Sequence, residues 1–450
     1  MSATPPTLEQ LMRQGPYQAY SYSYPHKSAY RVLPQPRALD EAWAQHDRSA
    51  LFAYVHLPFC TMRCGFCNLF AMAQPDDTLV DRYVDAVLRQ MRAMDRALGS
   101  RRFARLALGG GTPSYLTARQ LGHLYDGAAN ILGIDLAATP SGIEVSPETV
   151  TADRLAVCRA AGVSRVSMGV QSFSALEVRS LARPQQNEVV NEAVTRIRHA
   201  GFPVLNLDLI YGIAGQTVES WLHSVDSALA FAPEELYLYP LYVRAQTGLG
   251  KIAIRREERA TIGPDARPHL YEAARERLLA RGYIQVSMRM FRAPHAPAEE
   301  GPAYCCQTDG MVGFGAGARS YTASLHYSSR YAVDRVATRG IIEDFSAHTE
   351  AHFLHVDYGF ELDADEQRRR FVIQSLLTQP GLDRAAYRRR FHADSLMDMP
   401  QLRELVSLSL AREDEHRLTL TALGVAHSDT IGPWLGSARV KELAAKAVAC

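Results

Sequence analysis

The sequence predicts an α/β protein built on a partial (β/α)6 barrel, with an N-terminal arm and a smaller, mainly helical C-terminal domain. Two observations predict this fold. Between residues 51 and 245, short apolar runs alternate with stretches of helical periodicity, as in parallel strands joined by helices. Each apolar run also ends in an unusual loop, and a barrel enzyme carries its chemistry on the loops at the carboxyl ends of its strands.

The predicted elements follow one another as six strand–helix units, which right-handed crossovers would wrap into a barrel. Leu51–Leu57 is a nearly continuous apolar run, typical of a strand buried on both faces. Apolar residues from Val80 to Leu98 then recur at helical spacing. Thr151 is placed to cap a helix that carries Leu155 and Cys158. The other predicted elements are a helix near Ala118–Ile131 and the strands Phe103–Leu108, Ile143–Val145, Arg165–Val170, Val204–Ile210 and Glu235–Leu241.

Four regions are expected along the chain. Residues 1–50 form an extended N-terminal arm, and residues 51–245 form the barrel. Residues 246–345 have an irregular pattern that includes the glycine-rich segment Gly313–Gly317, and we interpret them as an extension completing the active site. Residues 346–450 are interpreted as a helical, winged-helix-like C-terminal domain with a polar strand pair near Arg417–Leu423.

The composition is that of an ordinary globular protein. Of its 450 residues, 47% are hydrophobic and 22% charged, and the formal net charge is +1. This charge gives no reason to expect binding to nucleic acid or to an anionic membrane. No apolar run approaches the ~18 residues of a membrane span. Three of the seven cysteines lie within eight residues, unlike a secreted disulfide framework, so a reducing, cytoplasmic location is expected.

The strongest local signal is Cys60-x3-Cys64-x2-Cys67. Thiolates are soft ligands that suit iron–sulfur clusters, zinc or copper. A structural zinc site and a conventional cluster both take four ligands. Three cysteines on one loop would leave one iron of a cluster open, which is useful only where something else must bind. The alternative is a zinc site whose fourth ligand is distant, such as Cys158 or a histidine.

The segment from Tyr54 to Cys60 (Tyr-Val-His-Leu-Pro-Phe-Cys), followed by Cys64-Gly-Phe-Cys67, resembles radical S-adenosylmethionine (SAM) enzymes. The similarity is to the oxygen-independent coproporphyrinogen III dehydrogenase branch. The resemblance implies that Cys60, Cys64 and Cys67 hold a [4Fe–4S] cluster whose open iron is chelated by SAM. One electron then splits SAM into methionine and a 5′-deoxyadenosyl radical. Phe66 matches the residue against the adenine, and Tyr54 matches a tyrosine beside the cluster.

The resemblance also implies a SAM site assembled from successive strand ends, with one or two SAM molecules bound. Gly109-Gly-Gly-Thr-Pro-Ser114 matches the segment that binds the methionine amino group. An arginine suits a carboxylate because the guanidinium binds it in two places. An acidic residue at a strand end suits ribose hydroxyls or the ammonium. The residues implied are Gly110, Gly111, Thr112, Glu144, Gln171, Arg183 and Asp208.

The chain departs from that family at three places. Leu69 stands where the porphyrinogen dehydrogenases carry a further cysteine. Tyr304-Cys305-Cys306-Gln307 replaces the His-Asn signature of the haem-carrying relatives, and His295 is out of register with it. The N-terminal stretch Tyr17–Tyr30 holds five tyrosines, including a Ser23-Tyr24-Pro25 triplet similar to the family's substrate-facing arm. This arm suits a flat substrate, or it simply packs across the barrel mouth.

Tyr54, Cys305 and Cys306 are the candidate catalytic residues. Neighbouring side chains in extended backbone point to opposite faces, so at most one of the two adjacent cysteines is expected at the active site. There it would donate a hydrogen atom or bind substrate covalently. The alternative is that both are ordinary buried thiols.

Several functions follow from the resemblance. The first is a radical enzyme acting on a small-molecule substrate with electrons from a donor such as flavodoxin or ferredoxin. Its outcome is predicted to be C-methylation of a heteroaromatic or natural-product substrate, or else oxidative decarboxylation or dehydrogenation of a porphyrinogen-like one. A haem-binding chaperone is the second hypothesis, and a cluster-bearing regulator is the third.

Overall fold

The computed structural model describes residues 6–20, 23–255, 265–298 and 305–448. Tyr22 of the predicted arm, Tyr304 and the seventh cysteine, Cys450, lie outside these ranges. The chain forms two compact units. The core unit comprises residues 32–283 and 292–358, and the terminal unit comprises residues 1–31, 284–291 and 359–450. The division of the chain into four regions at residues 50, 245 and 345 stays a prediction.

The strands are β1 Arg31–Ala38, β2 Leu51–Leu57, β3 Phe59–Cys60, β4 Met72–Ala73, β5 Phe103–Gly110, β6 Ser141–Val145, β7 Arg165–Gln171, β8 Val204–Tyr211, β9 Glu235–Pro240, β10 Ile284–Gln285, β11 Met290–Arg292, β12 Met311–Phe314, β13 Arg319–Tyr321, β14 Leu325–Ser328, β15 His355–Glu361, β16 Leu382–Asp383, β17 Ala411–Glu413 and β18 Arg417–Leu420.

The α-helices are α1 Leu8–Arg13, α2 Leu39–Trp43, α3 Asp77–Leu98, α4 Ala118–Asn130, α5 Ala152–Ala160, α6 Ala175–Ser180, α7 Asn187–His199, α8 Val218–Leu229, α9 Gly248–Arg255, α10 Arg267–Ala280, α11 Cys306–Asp309, α12 Arg335–Ala347, α13 Ala364–Leu376, α14 Arg384–Phe391, α15 Ser395–Asp398, α16 Leu402–Ser407, α17 Ala422–Ala426, α18 Ser428–Leu435 and α19 Ala438–Val448. No helix among the described residues is long and apolar enough to cross a bilayer.

The core unit is organised by an open, mixed sheet with the strand order β14-β13-β12-β2-β5-β6-β7-β8-β9. The strands from β12 to β9 run parallel, whereas β13 and β14 are antiparallel additions. From β2 to β9 the spatial order follows the chain order. Right-handed crossovers therefore place the connecting helices on one face of the sheet. We call the opposite face the inner face.

Alternation along β2 shows how the sequence selects these faces. Leu51, Ala53 and Val55 are fully buried, whereas Phe52 and Tyr54 are half-buried and belong to the inner face. The longest connecting helix, α3, is capped by Asp76, whose side chain accepts a hydrogen bond from the Leu79 amide. Its apolar residues recur at helical spacing and cover the sheet.

The terminal unit is mainly helical and contains a small sheet of β16, β18 and β17. Glu366 of α13 is buried and accepts hydrogen bonds from the hydroxyls of Tyr24 and Ser437. The Tyr20 ring lies 4.6 Å from the guanidinium of Arg289, which also forms a buried ion pair with Asp429. Two tyrosines of the predicted arm, Tyr20 and Tyr24, thus have partners inside this unit.

The predicted α/β architecture is confirmed, with small differences at element ends. The Leu51–Leu57 strand has the predicted bounds, and the five later strands extend the predicted cores by up to two residues or end one residue earlier. Thr151 precedes α5 as predicted, but its hydroxyl donates to Asp153 and accepts no hydrogen bond from a helix amide. The region expected to be irregular instead supplies β12, which adds a seventh parallel strand beside β2.

Candidate active site

The cysteine loop follows β2 at the carboxyl edge of the sheet. Cys60 ends β3, a two-residue strand that pairs with β4. Further along the loop, the Gly65 amide donates to the carbonyl oxygen of Leu181 at 2.9 Å, and the Gly65 carbonyl accepts from the Leu249 amide at 2.8 Å. A Cβ at Gly65 would lie 3.0 Å from that of Ala182. Close backbone packing therefore fixes the loop that carries the three thiols.

The three cysteine side chains are partly exposed, and two of them contact polar groups. The Thr112 hydroxyl lies 3.6 Å from Sγ of Cys60, and Nη1 of Arg183 lies 3.4 Å from Sγ of Cys64. Burial raises the pKa of Cys60 to about 12, although the Thr112 hydroxyl opposes the shift. Burial also raises the pKa of Cys67. Metal binding at this loop must therefore displace protons from thiols.

The donor set fits an iron–sulfur cluster. Thiolates are the ligands of such clusters. No three His, Cys, Asp or Glu side chains within the described ranges converge on one ion position. Cluster ligands, by contrast, bind separate irons. Cys158, the alternative fourth zinc ligand, is buried in α5, on the face of the sheet that carries the helices.

The Gly109–Thr112 segment lies directly against the cysteine strand. Gly110 has φ +116°, and a Cβ there would lie 2.7 Å from the His56 ring. A Cβ on Gly111 would lie 2.7 Å from the Phe59 carbonyl oxygen and 3.0 Å from Sγ of Cys60. Only glycine permits this approach. The segment is thus held beside Cys60, and the Gly111 and Thr112 amides donate to the carbonyl oxygens of Leu57 and Phe59.

Glu144 and Asp208 stand on the inner face of β6 and β8. The Glu144 carboxylate accepts a hydrogen bond of 3.0 Å from the Gly110 amide, and Asp208 accepts one of 2.7 Å from the Asn206 side chain. Burial raises the pKa of Glu144 to about 7, with Asp208 adding to the shift. Burial likewise raises the pKa of Asp208 to about 6. Glu144 is deep in the fold yet accessible to solvent, so it faces open space.

Gln171 and Arg183 meet at the end of β7. Gln171 adopts φ +70°, a left-handed conformation that costs energy for any residue with a side chain. Its Nε2 atom would lie 2.7 Å from a Cβ on Gly169. Arg183 donates to the Gly169 carbonyl oxygen at 2.8 Å and to Gln185 at 3.2 Å. Arg183 thereby links the end of β7 to Cys64.

An apolar cluster lies beside the cysteine loop. Leu181, Ile210 and Ile213 form its buried part, and the Phe66 ring packs against them. The loop after β8 is held by Gln216, which accepts from the Gly212 amide at 2.8 Å and donates to Glu177 at 2.9 Å. The Phe66 ring, which is predicted to lie against the adenine, therefore packs against an apolar surface.

Several functional candidates were missed at the sequence level. His56 is buried on β2, 3.1 Å from the Tyr54 hydroxyl. Arg165 and Glu235 form an ion pair of 2.7 Å that spans β7 and β9 on the inner face. Glu177 is buried and accepts from Ser172, Ser220 and Gln216. His56 could have been recognised from the sequence, because it lies two residues after Tyr54 in a strand and so points to the same face. The other contacts join segments far apart in the sequence and leave no local signal.

The remaining predicted residues lie as follows. Cys305 precedes α11 in extended backbone, and Cys306 begins that short helix. Burial raises the pKa of Cys306 to about 12, and Cys305 adds to the shift. Leu69 is exposed. His295 is also exposed, with Nε2 3.1 Å from the Ala232 carbonyl oxygen. The chemical roles of the predicted site residues stay predictions.

Comparison with known proteins agrees with this geometry. Residues 54–228 match the model of the Radical SAM superfamily. The haem chaperone HemW of Bacillus subtilis is 25% identical over 85% of this chain and 99% of its own. HemW of Mycobacterium tuberculosis is 31% identical over 59% of this chain and 67% of its own. The oxygen-independent coproporphyrinogen III oxidase of Bradyrhizobium diazoefficiens is 27% identical over 82% of each chain.

Among solved structures, the coproporphyrinogen III oxidase HemN from Escherichia coli superposes with a TM-score of 0.78 at 24% identity. The match covers 93% of this chain and 97% of that one. Fold and site therefore define a radical SAM enzyme, which uses a [4Fe–4S] cluster and SAM. The chain belongs to the HemN-like family of coproporphyrinogen III oxidases and HemW proteins.

Proposed function

We propose that this chain is an oxidoreductase that removes a hydrogen atom from a tetrapyrrole-like small molecule. The observation that carries the proposal is the placement of the cysteine loop beside the polar inner face. Thr112 and Arg183 each contact a cysteine thiol, and Glu144 joins the same Gly-Gly-Thr segment from β6.

The chain's own residues would divide the work as follows. Cys60, Cys64 and Cys67 hold the cluster, and the Gly110–Thr112 segment with Glu144 receives the ammonium end of SAM. Arg183 binds its carboxylate, Gln171 and Asp208 contact its polar atoms, and Phe66 covers its adenine. When bound, the cluster and SAM supply an electron and a 5′-deoxyadenosyl radical. The apolar cluster around Phe66 excludes water from that radical.

The tetrapyrrole part of the proposal is supported by the names of the relatives. The proteins that cover most of the chain are named for coproporphyrinogen oxidation or for haem delivery. These names do not support the C-methylation predicted from the sequence, and oxidation fits them better. Leu69 in place of the further cysteine distinguishes this chain from the porphyrinogen dehydrogenases, so coproporphyrinogen itself is not assumed to be the substrate. An electron donor such as flavodoxin or ferredoxin remains a prediction.

A haem carrier is the second candidate, because two of the relatives are named HemW. His295, the nearest histidine to the missing His-Asn signature, is exposed and contacts the Ala232 carbonyl. A haem titration separates the two candidates. Tight binding with a shifted Soret band that His295→Ala abolishes would favour the carrier over the enzyme.

The enzyme proposal is tested by anaerobic reconstitution with iron and sulfide, followed by reductant and SAM. We expect 5′-deoxyadenosine from the parent protein and none from Cys64→Ala, which removes one cluster ligand. Cys158→Ala is the matched control because that thiol is buried in α5, and it should retain iron and activity. If the parent yields no 5′-deoxyadenosine, or Cys64→Ala matches it, the proposal is wrong. S-adenosylhomocysteine alongside 5′-deoxyadenosine would instead restore methyl transfer.

A further inference from the structure

The segment that precedes α12 is bonded to the cysteine loop at two points. The Arg63 guanidinium donates to the Val333 carbonyl oxygen, and the Tyr331 hydroxyl donates to the carbonyl oxygen of Asn68. The centre of the Tyr331 ring also lies 5.9 Å from that of the Phe70 ring. The chain just before α12 therefore lies directly against the loop that carries the three thiols.

Leu69 connects this contact to a predicted cluster ligand. Its backbone amide donates a hydrogen bond to the Cys67 sulfur, whereas its side chain is 46% exposed. Electron transfer between proteins slows steeply as the gap between the two redox centres widens. A protein that delivers an electron must therefore dock where a cluster ligand comes close to the surface, and Leu69 marks such a place.

A second exposed apolar side chain lies at the start of α12. Val336 follows Val333 by three residues and is 82% exposed, the largest fraction among the large hydrophobic side chains of the described ranges. Single exposed hydrophobic residues are common, but Leu69 and Val336 lie on either side of one contact. Electron-transfer complexes often bury less than about 1,200 Å² in total, so a small apolar surface is sufficient for one.

The charges beside Val336 are mainly positive. Arg335 is exposed and forms no ion pair within the described ranges, and Arg330 is exposed as well. Arg339 and Glu343 neutralise each other through an ion pair of 2.7 Å. The Asp334 carboxylate accepts a hydrogen bond of 2.9 Å from an amide at the N-terminus of α12, where the helix dipole offsets its charge. A partner with a negative surface would therefore be attracted here.

We propose that Leu69, Val336, Arg330 and Arg335 form a docking patch for an acidic protein that carries single electrons. The two apolar side chains would occupy the centre of the interface, and the arginines would attract carboxylates of the carrier. One electron passes from the reduced carrier, which is thereby oxidised, to the oxidised cluster, and no bond is made or broken. The inference rests on the proposed function, because reductive cleavage of SAM needs an electron from outside the chain, and it adds the surface where that electron arrives.

The probe is an acidic [2Fe–2S] ferredoxin, and the protein is reconstituted with iron and sulfide. Binding of the oxidised ferredoxin is measured by surface plasmon resonance, and reduction by the reduced ferredoxin is followed by stopped-flow absorbance. The patch variant is Val336→Asp/Arg335→Glu. The matched control is Leu279→Asp/Arg281→Glu, which makes the same change in net charge at two exposed residues at the end of α10.

We expect the parent to bind the ferredoxin, with an affinity that falls as salt is added. The patch variant should bind and be reduced roughly tenfold or more weakly and slowly, because repulsion replaces attraction during the encounter. The control variant should behave as the parent does. Dithionite is a small reductant that needs no docking surface, so at high salt it should reduce all three proteins at the same rate.

The inference is wrong if the parent does not bind the ferredoxin, if salt leaves binding unchanged, or if the patch variant matches either the parent or the control. Self-association of the parent that the patch variant abolishes, measured by sedimentation, would assign the patch to a second copy of this chain instead. Iron content and circular dichroism confirm that each variant is folded. 5′-Deoxyadenosine formation with dithionite tests the proposed function separately, so its appearance without ferredoxin binding would overturn the docking patch alone.

Discussion

The hydroxyl of Tyr54 lies 3.1 Å from Nδ1 of His56, and Nε2 of the same ring lies 3.2 Å from the Phe70 carbonyl oxygen. A carbonyl oxygen only accepts hydrogen bonds, so Nε2 carries the proton and Nδ1 accepts from the Tyr54 hydroxyl. This pair of bonds links the inner face of β2 to the segment after Cys67. His56 thus orients Tyr54 and also anchors the end of the cysteine loop.

The two bonds of His56 can be separated by substitution. His56→Gln can still donate to Phe70 but leaves the Tyr54 hydroxyl without its acceptor, whereas His56→Asn can accept from Tyr54 but does not reach Phe70. We expect His56→Gln to keep its iron and to form 5′-deoxyadenosine about five- to tenfold more slowly, the cost of one hydrogen bond. His56→Asn should lose iron more readily. Identical behaviour of the two variants in iron content and rate would contradict this assignment.

Gly111 and Gly122 allow a closely packed glycine to be compared with one that has open space around it. A Cβ on Gly111 would lie 2.7 Å from the Phe59 carbonyl oxygen, whereas nothing lies within 4 Å of one on Gly122 in α4. Gly111→Ala should lower the free energy of unfolding by about 1–3 kcal/mol and weaken cluster retention, because the cysteine strand must move. Gly122→Ala should raise it by about 0.5–1 kcal/mol. Denaturant unfolding and iron analysis measure both effects, and a tolerated Gly111→Ala would show that the segment is not closely packed.

The raised pKa of Glu144 predicts that the stability of the folded protein depends on pH. Its pKa is raised from 4.5 to about 7, mainly because it lies deep in the fold, with Asp208 adding to the shift, so above pH 7 the folded protein bears the cost of ionising this carboxylate. As the pH falls from 7 towards 4.5, the folded state binds a proton that the unfolded state does not, and the cost disappears. Glu144→Gln should therefore be more stable than the parent at pH 8, and the difference should shrink by pH 5. Urea unfolding at both pH values measures it, and a difference independent of pH would exclude the raised pKa.

Glu177 holds the loop after β8 through Gln216 and is itself buried. Glu177→Gln turns an acceptor of three hydrogen bonds into a group with mismatched donors, so a loss of about 1–3 kcal/mol in the free energy of unfolding is expected. SAM binding should weaken as well, because the same loop carries Ile213, which packs against Phe66. Glu188→Gln, at an exposed position of α7, is the control. Equal SAM affinity in both variants would rule out a positioning role.

Local sequence determined the parallel-strand core and the position of the cysteine loop. The Leu51–Leu57 strand and α3 were predicted well because burial imposes a period that a short window contains. The cysteine motif could also be recognised from the sequence, because all three thiols lie on one short loop. Three thiols within eight residues sufficed to predict a cluster site with an open iron.

Only the tertiary structure decided what lies opposite that loop. Strand β12 pairs with β2 from more than 250 residues away, and β13 then brings Arg319 to the inner face. Such strands are too short to show a period, and their faces are set by the register of a distant partner. The hydrogen bonds of His56 and the raised pKa of Glu144 also depend on segments that meet only in the fold. The cysteine motif therefore predicted the cluster chemistry from sequence alone, and the packing of distant strands decided which side chains line the inner face.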